Sequence, residues 1–109
     1  MARTLITIPP SPKKGDVIEI RVLIQHQMET GFRVSADGTL VPRNIIKKFT
    51  CRINDGTSDD TVFAAEFFPA VAANPYVAFH LVAVPGTLTF VWEGDNGFSQ
   101  TETAVLKPA

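Results

Sequence analysis

Apolar and polar residues alternate with a period of two along most of this chain, the signature of half-buried β-strands and not of a 3.6-residue helical stripe. Between residues 16 and 26, Ile18, Ile20, Val22 and Ile24 alternate with Glu19, Arg21 and Gln25. Over 45–54 one face takes Phe49, Cys51 and Ile53 and the other takes Lys48, Thr50 and Arg52; the turn residues Asn54, Asp55 and Gly56 then end the run. Segments 61–68 and 76–84 are two further strands, with a crossover over 69–75 between them that would link two sheets. Near the C-terminus, segments 87–93 and 98–106 flank Gly94, Asp95, Asn96 and Gly97, and Asn-Gly readily accepts the positive φ of a tight turn. In the first of these, Leu88, Phe90 and Trp92 share the face expected to be core. Residues 3–8 begin the series, and Pro9, Pro10 and Pro12 guard it, because proline donates no ladder hydrogen bond.

About seven short strands with this turn spacing predict an all-β, immunoglobulin-like β-sandwich of two antiparallel sheets with very little helix. At 109 residues the chain is expected to be one domain, 1–109, able to bury roughly two thirds of its unfolded surface. It shows no internal repeat and no low-complexity tract.

A formal charge of −1 with mixed signs gives no electrostatic grip on nucleic acid or anionic lipid. Lys13-Lys14 and Lys47-Lys48 are isolated pairs and read as solvated positions. No apolar run approaches the ~20 residues of a spanning helix, and the N-terminus lacks the pattern of an export signal, so a soluble chain with no signal of its own is expected. One cysteine, Cys51, excludes an internal disulfide.

Enzymatic chemistry finds little support. Asp59, Asp60, Glu66, Glu93, Asp95 and Glu102 are present, but no serine lies in a nucleophile elbow and no histidines are spaced as a zinc pair. Asp59-Asp60 reads as a turn that caps backbone groups. Gly15-Asp16 and the 94–97 segment are turns and not phosphate cradles, which need a glycine-rich loop between strand and helix. His26, Met28, Cys51 and His80 are the ligand types of a blue-copper centre, which would make a small metal-binding or electron-transfer sandwich the alternative function. The spacing argues against it: Cys51 sits mid-strand, far from either histidine, and its alternation with Phe49 and Ile53 predicts a buried, inert thiol. No cofactor and no metal are therefore expected. His26 is either a hydrogen-bonded structural side chain or an interface residue. An adhesive sandwich that recognises sugar or peptide would want an exposed aromatic platform, which the sequence does not clearly offer.

The connection over 27–44 is longer than a sandwich requires, and loops of that length in compact domains tend to be functional. Asp37-Gly38, flanked by Val34 and Leu40, predicts a small ordered hairpin within it. The candidate partner contacts are His26, Met28, Glu29, Gly31, Asp37, Gly38 and Arg43; Gly31 and Gly38 would set backbone geometry, and Glu29 and Arg43 are expected either to form a cross-loop ion pair or to orient a partner. Phe68, Tyr76 and Phe79 are candidate interface anchors whose competing role is core packing.

His26-Gln27-Met28-Glu29-Thr30-Gly31, then the 37–43 run Asp-Gly-Thr-Leu-Val-Pro-Arg, the 45–51 block, Asn74-Pro75-Tyr76 and the Trp92 hairpin together resemble the SoxZ family over nearly the whole chain. The resemblance implies a non-catalytic, immunoglobulin-like subunit that pairs with a SoxY-like carrier. That carrier bears sulfur intermediates on a glycine-flanked C-terminal cysteine, and the pair docks transiently with other sulfur-oxidation enzymes. This chain ends Val105-Leu106-Lys107-Pro108-Ala109, without a cysteine or glycine flank, so the resemblance casts it as the supporting partner. It also implies periplasmic residence, reached by export alongside a signal-bearing partner.

Overall fold

A computed structural model describes residues 3–68 and 73–108. Seven strands form: β1 (Thr4–Thr7), β2 (Val17–Ile24), β3 (Ile46–Asn54), β4 (Asp59–Glu66), β5 (Tyr76–Val82), β6 (Gly86–Gly94) and β7 (Ser99–Leu106). The one helical element among the described residues is a 3-10 turn at Asp95–Gly97, in which Asn96 and Gly97 take the positive φ anticipated for them. The strands build two antiparallel sheets, ordered β1-β2-β5 and β4-β3-β6-β7, which is the sandwich expected from the alternation. β4 and β5 lie in different sheets, so the chain crosses between sheets after β4; residues 69–72 of that crossover lie outside the described residues.

Period-two patterning determines what is buried. Ile18, Ile20, Val22 and Ile24 on β2 face Phe49, Cys51 and Ile53 on β3 and Leu88, Phe90 and Trp92 on β6 in one hydrophobic cluster. Phe49 sits at its centre, with its ring 5.2–6.3 Å from those of Phe63, Phe79, Phe90 and Trp92. Phe63 and Phe79, on strands of opposite sheets, stack with centroids 4.5 Å apart. Phe79, weighed above as an interface anchor, therefore belongs to the core at 4% exposure, whereas Phe68 and Tyr76 stay 65% and 57% exposed. The reason is the alternation itself: Tyr76 and Phe79 are three apart on one strand and must point to opposite faces.

Asp59 opens β4 opposite Asn54 and does not cap the preceding turn. Asp55 performs that task, since its carboxylate accepts the Thr57 and Ser58 N–H groups at 2.9 Å each. Those bonds and the Thr57 hydroxyl hold its pKa down at about 2.

Candidate functional site

The excursion between β2 and β3 is ordered from its root to its tip. At the root, Glu29 and Asn44 form an antiparallel bridge with reciprocal 2.8 Å N–H to carbonyl bonds. A second bridge, Val34 to Leu40, closes the small hairpin predicted around Asp37-Gly38. The Ser35 N–H donates to the Thr39 carbonyl at 2.8 Å, and the Gly38 N–H to the Ser35 carbonyl at 3.0 Å. Gly38 has φ +86°, a conformation that L side chains rarely adopt.

Asp37 pins the turn. Its Oδ1 accepts the Thr39 N–H at 3.0 Å, the Thr39 hydroxyl at 2.6 Å and the Ser35 hydroxyl. These donors stabilise the carboxylate and bring its pKa down to about 2. With its acceptor so engaged, Asp37 shapes the hairpin. What the hairpin presents is apolar: Phe32 is 82% exposed, Val34 59% and Leu40 61%.

Sequence reasoning takes Val34 and Leu40 only as flanks of the turn and passes over Phe32, the most exposed of the three. The signal is present, since a polar turn with large apolar flanks and no opposing strand leaves those flanks nothing to cover.

At the root, His26 and Met28 are structural. The His26 backbone N–H donates to Asn74 Oδ1 at 3.0 Å, and its carbonyl accepts the Asn74 N–H at 2.7 Å. Its ring meets Phe98 edge-on at 5.3 Å, and Nδ1 accepts the Met28 N–H at 3.0 Å. An accepting Nδ1 is unprotonated, and partial burial lowers the imidazole pKa, opposed by the charge of Asp95, so His26 is neutral at pH 7. Met28 has φ +56° and is buried, and its Sδ accepts the Ile46 N–H at 3.2 Å.

The Glu29–Arg43 ion pair does not form. Glu29 binds Arg33 through a bidentate pair, with a 2.8 Å contact from Nη2. Arg43 instead grips Asp95 with two 2.9 Å bonds, Nε to Oδ2 and Nη2 to Oδ1. Alternation supplies the reason: Glu29 faces Asn44 directly, so the residue next to Asn44 turns to the other side of the ribbon, toward the β6–β7 turn. Asp95 also accepts the Ile45 N–H at 3.2 Å and lies 3.6 Å from Lys47 Nζ. The bond to Arg43 is the main reason that its pKa is lowered. Gly31, at φ +90°, lies where a Cβ would come 3.1 Å from Arg43 Cβ. Of the seven candidates, Glu29, Gly31, Asp37, Gly38 and Arg43 thus brace the excursion, and His26 and Met28 lock it to the sandwich.

A groove of about 480 Å³ opens beside the root, lined among others by Arg43, Ile45, Lys47, Phe67, Phe68 and Glu93. Its mixture of both charge signs with exposed aromatic surface suits a polypeptide better than a small anion.

The copper ligand types are dispersed in role. Cys51 is fully buried, and desolvation pushes its thiol up to about 12, so a thiolate is strongly disfavoured. Met28 Sδ is occupied by a backbone donor, and the side chain of His80 is 63% exposed, 3.7 Å from Glu19. Among the described residues no group of three or more His, Cys, Asp or Glu side chains is placed to hold a metal ion.

A family model described as "Sulphur oxidation protein SoxZ" matches residues 6–105. Among curated proteins none matches the chain. Solved structures similar to it include a superoxide reductase (neelaredoxin) from Ignicoccus hospitalis, at TM-score 0.73 and 16% identity, covering 99% of this chain and 82% of that one. A putative superoxide reductase from Thermotoga maritima aligns at TM-score 0.69 and 16% identity over 97% of this chain and 85% of that one. Superoxide reductase from Nanoarchaeum equitans aligns at 0.67 and 13%, over 94% and 90%. At such identities the likeness is one of fold.

Proposed function

The chain belongs to the SoxZ family of sulphur oxidation proteins, and from that premise we propose that it is a non-catalytic subunit that heterodimerises with a SoxY-like carrier of sulfur intermediates. In this reading it helps dock the carrier to the enzymes that act on its cargo, and the pair works in the periplasm after export through the signal of the carrier.

The observation that carries the reading is the family match over 6–105. The geometry of the 27–44 excursion supports it. A partner-binding surface gains from order that is already in place, because a rigid loop loses little entropy on association. Here two bridges, the Asp37 turn and the Arg43–Asp95 clamp hold three large apolar side chains in water. Exposed apolar side chains of this kind anchor protein interfaces. Glu29 and Arg43 sit behind them as orienting charges.

Co-expression with a SoxY-like carrier followed by size exclusion tests the proposal. The wild-type chain co-elutes with the carrier, and the triple variant Phe32→Ser, Val34→Ser, Leu40→Ser binds at least about tenfold more weakly while keeping its β circular dichroism. A wild-type chain that never co-elutes refutes the heterodimer, and an unimpaired triple variant removes the excursion from the interface.

A further inference from the structure

Each sheet has two edges, and three of the four are guarded. β1 is only four residues long and leads into Pro9 and Pro10. β4 begins with Asp59 and Asp60, and its pairing with β3 shifts register between Cys51 and Arg52. β7 carries Glu102 at its middle, so pairing with itself sets two carboxylates opposite or diagonal to each other. Short length, charge, proline and bulges are the usual defences of a strand edge.

β5 carries none of them within its own span, although Pro75 and Pro85 flank it from outside. It is seven residues long, Tyr-Val-Ala-Phe-His-Leu-Val, contains no Asp, Glu, Lys, Arg or Pro, and pairs in regular register with β2 alone among the described strands. Its outward face keeps Tyr76 57% and Val82 51% exposed, and Val17, which pairs with Val82 on β2, is 69% exposed.

We propose that the free edge of β5 pairs antiparallel with β5 of a second copy of this chain, making one six-stranded sheet from two three-stranded ones. A two-fold axis perpendicular to the sheet keeps the inner faces on one side and requires opposed residues to share parity. Centred on Phe79, that axis sets Tyr76 against Val82, Val77 against Leu81 and Ala78 against His80 of the other copy. No pair then sets two ionisable side chains directly opposite each other, and the outer pairing of an aromatic with a β-branched residue is of a kind that stabilises sheets. This self-pairing goes beyond the carrier reading and uses no residue of the 27–44 excursion.

The test uses the chain alone, so its outcome is independent of any carrier. Sedimentation velocity across a concentration series shows a monomer–dimer equilibrium. Ala78→Lys and His80→Glu, both at exposed positions, each raise the dimer dissociation constant by about tenfold or more. Mixing the two variants restores dimer, because the ammonium introduced in one copy then faces the carboxylate introduced in the other across the axis. Circular dichroism confirms that each variant is folded. A wild-type chain that stays monomeric at every concentration overturns the proposal, as does a dimer indifferent to both substitutions or a mixture that fails to recover it.

Discussion

Asp37 lies in the most exposed part of the chain, yet its carboxylate is among the most strongly stabilised of the described groups, with a pKa near 2 set by the Ser35 and Thr39 donors. The sign of the pH effect follows. An Asp of ordinary pKa, about 3.9 when unfolded, contributes stability above that value, and a depressed folded pKa means the contribution is lost as pH falls through about 4 toward 2. The Thr39 amide, which donates to Asp37, should be protected from hydrogen exchange at pH 5 and lose relative protection across that window; Asp37→Asn should abolish the transition. Because Asp55 shifts in the same direction, the local amide and not global melting is the informative readout. An amide equally protected at pH 2 would disprove the carboxylate's role. Turn chemistry is legible in the sequence at Asp37-Gly38 because it is local. The Arg43 ion pair is not, since Arg43 finds its partner 52 positions away at Asp95, and only the completed fold brings the two together.

At the scale of elements, strands are readable wherever one face is buried, as on β2 and β6, because a one-residue slip would turn the whole apolar set to water. Bulges are not readable. The register shifts between Ile46 and Lys48 and between Cys51 and Arg52 depend on the neighbouring strands. Gly94 shows what such a close approach demands. Its φ of −148° suits any residue, but a Cβ there would lie 2.6 Å from the Ile45 carbonyl oxygen, where β3, the excursion and the β6–β7 turn converge. Gly94→Ala should therefore cost about 1–3 kcal/mol by forcing the backbones apart. Chemical denaturation measures it, and an unchanged midpoint would show that the junction yields freely. The same substitution at Gly97 meets no atom within 4 Å and is disfavoured only by its φ of +74°.

The whole molecule is elongated, with principal extents of 56 × 24 × 20 Å. Its radius of gyration, 16.3 Å, exceeds the roughly 13 Å of a compact chain of this length. Its accessible surface of 6717 Å² likewise exceeds the roughly 5,950 Å² expected for its mass. The excess is consistent with a braced hairpin whose residues from Phe32 to Leu40 are nearly all exposed. A β-sandwich needs no such feature for its core, which closes around Phe49 without it. The superoxide reductases that share the architecture show how little the fold alone decides, so function is inferred from family membership and from this surface.

Amide hydrogen exchange of the chain, free and saturated with a SoxY-like carrier, tests the central claim most directly. The account predicts new protection concentrated in residues 29–44, centred on the Phe32–Leu40 hairpin, with the core strands unchanged. A stable complex that leaves those amides as exposed as in the free chain would contradict it.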